Sequence, residues 1–315
     1  MIRSLRAALA ATLLAGAAAS AQSSIGLGSY TLTGNFALDP LGGVGLEASA
    51  VTYARDRGTL FFVGDEGRGV IEISRTGQTL GTMLFSNWPA SSTNNDAEGL
   101  TYLGNGVLVV VEERLQDAFR FVFSAGSSVA LASVPFVSFG PTVGNVGTEG
   151  IGYDARDGSF FTVKQDNPQA VLGGSLTFAA GGGVSTLAPL FDADATLGLA
   201  SLSDVQTLSS VDALAGTAAA NNLLVLSLDS RRLVEIDRAG RILSFIDLAG
   251  LTPQAIEGVT IDEKGIIYLV AEDSGTPNSR LLVLSPVPEP ETMVLMAAGF
   301  AALGWRARRR ARPSA

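Results

Sequence analysis

The sequence predicts an all-β fold made of repeated small sheets, and three observations support this. A phrase with an acidic residue followed by small and apolar residues recurs five times. Each phrase leads through a turn into a strongly apolar strand. The segment between the two chain ends is rich in Gly, Val, Leu and Thr and lacks the periodicity of amphipathic helices. We therefore expect repeats of short antiparallel strands.

The recurring phrase opens the first strand of each repeat. Its acidic residues are spaced 51, 51, 55 and 53 positions apart, and they are Glu47, Glu98, Glu149, Asp204 and Glu257. Second strands are predicted at 60–63, 107–111, 159–163, 223–226 and 266–270.

Third and fourth strands are predicted on either side of a further glycine turn. The clearest pair is Ile71-Glu-Ile-Ser-Arg-Thr-Gly77 and Val234-Glu-Ile-Asp-Arg-Ala-Gly240. Repeats of about 50 residues with four strands cannot bury both faces alone, so they stack radially around a channel. The sequence thus predicts a single β-propeller over 22–285 with five four-stranded blades. Six blades would require one degenerate blade.

The last blade is predicted to take strands from both ends of the domain. After Glu257 only about 30 residues remain before Pro286, which is one strand too few. The segment 29–38 precedes the first phrase and can supply that strand. A loop insertion is expected at 208–220 in the fourth repeat.

The first 21 residues have the layout of a signal peptide. Arg3 and Arg6 precede an apolar run, and Ala19-Ser20-Ala21 fits a signal-peptidase site. An uncleaved membrane anchor is the alternative, but about 13 apolar residues are fewer than the roughly 20 that a span needs. We expect cleavage between Ala21 and Gln22.

The segment 286–315 has the layout of a sorting signal. It contains Pro288-Glu289-Pro290, an apolar run at 292–305 and five arginines. The run gives only about 21 Å of helix against a hydrocarbon core of roughly 30 Å, and the arginines would hold the end on the cytoplasmic side. Any transmembrane helix here would be strained, and we expect transient membrane contact through this tail.

This tail resembles the PEP-CTERM sorting signal. The resemblance implies that an exosortase in the inner membrane of a Gram-negative bacterium recognises the chain and cuts it near Glu289. It implies export to the cell surface, periplasm or extracellular matrix, where a polysaccharide or another protein could be the partner.

Composition excludes several classes of function. The chain has no Cys and no His, so it has no Ser-His-Asp triad, no cysteine nucleophile and no zinc site of the usual His or thiolate kind. Without its two ends the chain keeps 14 basic and 28 acidic residues, a net charge of about −14. Such a domain is a poor candidate for nucleic acid, which requires clustered Lys and Arg, and a better one for cations.

The repeats also resemble a known family. Asp96-Ala-Glu98-Gly-Leu-Thr-Tyr with Glu112-Glu113-Arg114, and Gly144-Asn-Val-Gly-Thr-Glu149-Gly, are similar to the SdiA-regulated, or YjiK-type, propeller proteins over about 40–285. The resemblance implies an exported or envelope-bound propeller without a well-defined enzymatic activity. Some members are linked to calcium handling and described as phytase-like.

The five recurring acids are the candidate metal ligands. The first strand of each blade lines the channel, so Glu47, Glu98, Glu149, Asp204 and Glu257 should form a ring. Crowded carboxylates need a cation or fixed donors to stay ionised, and Ca²⁺ requires neither His nor Cys. In the alternative, each acid binds backbone amides of a neighbouring blade.

A second acidic set follows the second strands and is expected to be a solvated rim. It comprises Asp65, Glu66, Glu112, Glu113, Asp166, Asp229, Glu272 and Asp273.

Three functions follow as hypotheses. The leading one is a non-catalytic binding protein of the envelope or matrix, with calcium in the channel. The second is a calcium-dependent phosphoesterase or esterase, whose metal would activate water without histidine. The predicted shortage of rim cations argues against it. The third is a protein-interaction scaffold in an exopolysaccharide matrix.

Overall fold

The computed structural model describes residues 22–287, whose regular structure is almost entirely β-strand. The predicted signal peptide, with Ala19 and Ala21, lies outside the described residues. So does the predicted sorting motif, Pro288, Glu289 and Pro290. Within the described part, no helix is long and apolar enough to cross a membrane.

The described residues form five four-stranded antiparallel blades, as predicted. The first strand of the chain, β1, spans Tyr30–Ala37 and belongs to the last blade. Blade 1 consists of β2 (Ala48–Ala54), β3 (Thr59–Gly64), β4 (Gly69–Ile73) and β5 (Thr79–Ser86).

Blades 2 and 3 carry small additions to this pattern. Blade 2 contains β6 (Ala97–Gly104), β7 (Val107–Glu112), β8 (Asp117–Val122) and β10 (Phe136–Ser138), while β9 (Ser127–Ala130) pairs in parallel with β5 of blade 1. Blade 3 contains β11 (Thr148–Asp154), β12 (Ser159–Lys164), β13 (Ala170–Gly174) and β16 (Ala188–Pro189) around a hairpin of β14 (Leu176–Thr177) and β15 (Val184–Ser185).

Blades 4 and 5 complete the ring. Blade 4 follows the short helix α1 (Ala193–Thr196) and contains β17 (Asp204–Thr207), β18 (Leu223–Ser227), β19 (Arg232–Ile236) and β20 (Ile242–Asp247). Blade 5 contains β21 (Ile256–Ile261), β22 (Ile267–Ala271), β23 (Arg280–Pro286) and β1. Short 3₁₀ turns lie at Leu27–Ser29, Leu131–Ser133, Asp212–Leu214 and Ala218–Asn221.

The two ends of the described chain close the propeller. Strand β1 pairs with β23 from Tyr30 opposite Pro286 to Ala37 opposite Arg280, so the predicted closure is confirmed. The Tyr30 hydroxyl donates to the Gly265 carbonyl at 2.9 Å and ties β1 to the turn between β21 and β22. Each inner strand contacts the inner strand of the next blade, and β21 contacts β2.

The hydrophobic core lies between adjacent blades. Phe61 and Val63 of blade 1, for example, pack with Leu108 and Val110 of blade 2, and all four are fully buried. The predicted insertion at 208–220 is present between β17 and β18. Leu208 and other apolar residues of the insertion join the core between blades 4 and 5.

Candidate metal centre

One end of the central channel collects the acidic residues. The inner strands β2, β6, β11, β17 and β21 begin there, and the second strands return to it because they run antiparallel. We call this the acidic end. The residues of both acidic sets predicted from the sequence lie near it.

Strand register shows which residues occupy equivalent positions. Four of the five inner strands have a bulge at the start. The extra residue is Ser49 in β2, Glu98 in β6 and Glu257 in β21, and in β11 the register shifts between Thr148 and Ile151, a stretch that includes Glu149. A bulge leaves one residue without a partner in the hydrogen-bond ladder and changes the direction of its side chain. Such a residue is well placed to face a channel. Glu47 therefore stands two residues before the position equivalent to Glu98, which Ser49 occupies.

The glycine that follows Glu98, Glu149 and Glu257 allows the inner strands to approach closely. A Cβ on Gly99 would lie 2.5 Å from the Glu149 carbonyl oxygen, and one on Gly258 would lie 2.9 Å from the Ala50 Cα. Contacts this short exclude any side chain. The repeated Glu-Gly pair thus combines an acid in the bulge with tight packing next to it.

Three carboxylates from two adjacent blades form the closest acidic cluster among the described residues. Asp65 follows β3, Asp96 precedes β6 and Glu98 lies in the β6 bulge. One oxygen of each lies within 4.8 Å of the others. Ligands on opposite sides of a calcium ion are about 5 Å apart, because each lies about 2.3–2.6 Å from the ion. The spacing therefore fits one shared ion.

The three acids differ in the groups that surround their carboxylates. Arg114 Nε lies 2.5 Å from Asp96 Oδ2 and pairs with that carboxylate. Asp65 lies beside Glu47, and burial followed by the interaction with Asp65 raises the pKa of Glu47. Among residues 22–287, no hydrogen-bond donor contacts the Glu98 carboxylate. Glu98 is the acid with the greatest need for a cation.

Burial and mutual repulsion raise the pKa of several of these carboxyl groups. Burial is the main cause for Glu98, whose pKa lies well above its usual range, and the charges of Glu149 and Glu257 add to it. Burial, followed by the charge of Glu272, raises the pKa of Glu257 to about 8. Burial and the hydrogen bond with Asp65 raise the pKa of Glu47 to about 7. These shifts favour the protonated form of the carboxyl groups at this end of the channel.

Glu149 forms a second carboxyl pair beside the cluster. Burial raises its pKa well above the usual range, and Glu113 adds to this by repulsion and by a shared hydrogen bond. Glu113 also accepts the Gly147 amide at 2.9 Å. This pair is therefore partly satisfied by protein.

Asp204 binds backbone amides, as in the alternative prediction for the repeated acids. It accepts the Val205 amide at 2.8 Å and the Val259 amide of the next blade at 2.7 Å. The side chain is almost fully buried, and burial raises its pKa although the amides act in the opposite direction. Asp204 joins blades 4 and 5.

The expectation of a solvated outer rim is only partly met. Glu66 and Asp229 are exposed, but Glu112 and Glu113 are buried, and Asp65 belongs to the close cluster. Burial of the Glu112 carboxylate is compensated by hydrogen bonds, because it accepts the Ser92 hydroxyl and the Leu115 amide. Three acids at the acidic end were not singled out as ligands by the repeat pattern, namely Asp65, Asp96 and Glu113.

Basic groups near the acidic end are already engaged. The guanidinium of Arg114 also donates to Asn145, that of Arg68 donates to the carbonyls of Gly42 and Gly43, and the amine of Lys164 donates to three carbonyls of its own turn. Each of these three cations already has partners within the protein.

The sequence matches the SdiA-regulated family over residues 24–278, which is most of the chain. The chain belongs to the SdiA-regulated family. A second match, to the PEP-CTERM protein-sorting motif, covers residues 286–310. This motif implies recognition by an exosortase during export and indicates sorting to the cell envelope of a Gram-negative bacterium.

Several solved structures align with most of the chain. A luciferin-regenerating enzyme aligns with a TM-score of 0.49 at 10% identity, covering 80% of this chain and 94% of that one. The glutaminyl cyclase of Myxococcus xanthus aligns with a TM-score of 0.49 at 11% identity, covering 82% and 97%. A gluconolactonase of Xanthomonas campestris aligns with a TM-score of 0.44 at 12% identity, covering 77% and 88%. Similarity this low carries no argument about activity.

Proposed function

We propose that this SdiA-regulated protein is an exported, non-catalytic binding protein that holds a calcium ion at the acidic end of its channel. The observation that carries the proposal is the cluster of Asp65, Asp96 and Glu98, whose oxygens lie within 4.8 Å of one another. Calcium accepts six to eight oxygen ligands in flexible geometry, and water can complete the shell. Magnesium fits less well because it demands a tighter octahedron.

The phosphoesterase alternative has one supporting observation. Glu47 and Glu257, with pKa values of about 7 and 8, could exchange protons at neutral pH, as a general acid or base must. The engaged basic groups argue against it, because a phosphorylated substrate normally requires free Arg or Lys beside the metal. We therefore rank binding above catalysis.

Thermal unfolding of the purified mature protein tests the proposal. Calcium at about 100 times its Kd should raise Tm by roughly 5 to 10 °C over the value in chelator, with a smaller effect of magnesium. The double variant Asp65→Asn Glu98→Gln should lose this shift. Glu66→Gln, an exposed acid next to Asp65, is the matched control and should keep it.

Two outcomes would overturn the proposal. One is a wild-type Tm that is the same in millimolar calcium and in chelator. The other is turnover of a phosphoester or carboxylic ester that chelator abolishes, which would replace binding by catalysis.

A further inference from the structure

A cavity of about 630 Å³ lies at the opposite end of the channel from the acidic cluster. The inner strands end there, and the cavity is lined by their last residues and by the turns that follow. Its volume lies within the range of about 300–1,000 Å³ that is usual for small-molecule sites. We call it the distal cavity.

Three tyrosines from three blades border the distal cavity, namely Tyr53, Tyr102 and Tyr153. Neighbouring side chains hold each ring in place. The Arg75 guanidinium lies 4.9 Å from the centre of the Tyr53 ring. Tyr102 stacks on Phe61 at 5.8 Å, and Tyr153 packs on Phe160 at 5.0 Å. Rigid aromatic groups with few rotatable bonds suit a binding surface.

Charged groups of the distal cavity are paired within the protein. Asp56 accepts the Tyr102 hydroxyl at 3.0 Å and the Asn105 amide at 2.9 Å. Arg55 pairs with Asp212 and Arg156 with Asp154, each at 2.7 Å. A ligand in this cavity therefore does not require a net charge.

The remaining polar groups are hydroxyls and an amide. In the described part of the chain, the side-chain hydroxyls of Thr101 and Tyr153 have no hydrogen-bond partner, and both residues line the cavity. Gln206 uses its amide to connect Thr260 and the Thr207 backbone, and this fixes its position in the wall. The cavity thus offers free hydroxyls next to aromatic rings.

We propose that the distal cavity binds a neutral, hydroxyl-rich ligand with the size of two or three sugar units. A pyranose has hydroxyls around its edge and C–H groups on its faces, so it complements hydroxyl donors and tyrosine rings together. This site is separate from the calcium cluster, and the two sites have no residue in common.

Calorimetric titration of the mature protein with neutral trisaccharides of glucose, galactose and mannose tests the inference. The titration is done in chelator, so that loss of calcium binding cannot affect the result. At least one trisaccharide should bind at millimolar concentration or better. Thr101→Val and Tyr153→Phe each remove one free hydroxyl and should weaken binding roughly three- to tenfold.

Ala155→Trp and Glu66→Gln complete the design. Ala155 is an exposed turn residue at the cavity, and a tryptophan there should abolish binding by filling the mouth. Glu66 is an exposed acid at the other end of the channel, so Glu66→Gln should leave sugar binding unchanged. Failure of every trisaccharide to bind, or binding that Ala155→Trp leaves intact, would overturn the inference without touching the calcium proposal.

Discussion

Two kinds of carboxylate lie at the starts of the inner strands. Asp204 is enclosed by two backbone amides and serves as a connection between blades. Glu98 has no donor within residues 22–287 and shares its surroundings with other acids. The same repeated position therefore supports structure in blade 4 and, by our proposal, ligand binding in blade 2.

Replacing Asp204 with alanine should destabilise the fold. The two buried amides would lose their acceptor, and the free energy of unfolding should fall by about 3 kcal/mol. Urea denaturation of Asp204→Ala measures this. Asp229→Ala, at an exposed acid of the same blade, is the control and should change stability by less than about 0.5 kcal/mol. Equal effects of the two substitutions would contradict the assigned role.

Replacing Glu98 with glutamine should stabilise the fold in chelator, unlike the replacement of Asp204. In chelator at pH 9, the wild-type carboxyl either ionises among other acids or keeps a proton at a cost, and glutamine avoids both. Glu98→Gln should therefore melt at a higher temperature than wild type in chelator, and calcium should reverse this order. A variant that melts lower than wild type in chelator would indicate a structural acid instead.

At the scale of elements, β4 and β19 place a glutamate at the same position of their blades. Glu72 accepts the Arg57 guanidinium and the Thr59 hydroxyl. Glu235 is fully buried and instead accepts groups of the N-terminal segment, including the Ser24 hydroxyl and the Ile25 amide. The segment that follows the predicted signal peptide is therefore part of the folded structure of blade 4.

Removing the Ser24 hydroxyl should weaken this attachment. Its 2.5 Å hydrogen bond to Glu235 is made to a buried carboxylate, so Ser24→Ala should lower the free energy of unfolding by about 2 kcal/mol. Ser23→Ala is the matched control, because Ser23 is exposed and contributes only its carbonyl, to Asn222. Denaturation curves that coincide for the two variants would contradict the attachment.

The order of the elements was predictable from the sequence, and their contacts between blades were less so. Spacing and glycine turns located the second strands and the closing strand, because each depends on residues close in the chain. The pairing of β9 with β5 depends on two blades meeting, which no local pattern reports. Aligning the repeats on their first acidic residue also placed Glu47 in the ring of acids. Strand register instead assigns the position equivalent to Glu98 to Ser49.

At the scale of the whole molecule, the acidic end makes stability depend on pH. The folded-state pKa values of Glu47 and Glu257, about 7 and 8, lie above the ordinary value of 4.5. The folded state thus binds more protons than the unfolded state between these values. The stability that these groups contribute is complete below pH 4.5 and is lost as the pH rises through 7 and 8.

Melting temperatures in chelator should accordingly fall between pH 5 and pH 8.5. The rise in Tm caused by calcium should increase over the same range, because the ion binds the deprotonated carboxylates. In the double variant Glu47→Gln Glu257→Gln, the decline in chelator should be smaller. A wild-type Tm in chelator that rises steadily to pH 8.5 would have the wrong sign for this arrangement.

The channel also joins two chemically different ends in one molecule. The same inner strands begin among carboxyl groups and end among threonines and tyrosines. Spacing placed Glu113 at this end but did not report its contact with Glu149, and it did not single out Asp96, because these contacts form only where neighbouring blades meet.

The most direct test of the calcium site is a crystal structure of the mature protein grown in millimolar calcium. We expect an ion at the acidic end with Asp65, Asp96 and Glu98 oxygens about 2.3–2.6 Å away, identified by its anomalous scattering. A well-ordered acidic end that contains only water under these conditions would contradict it.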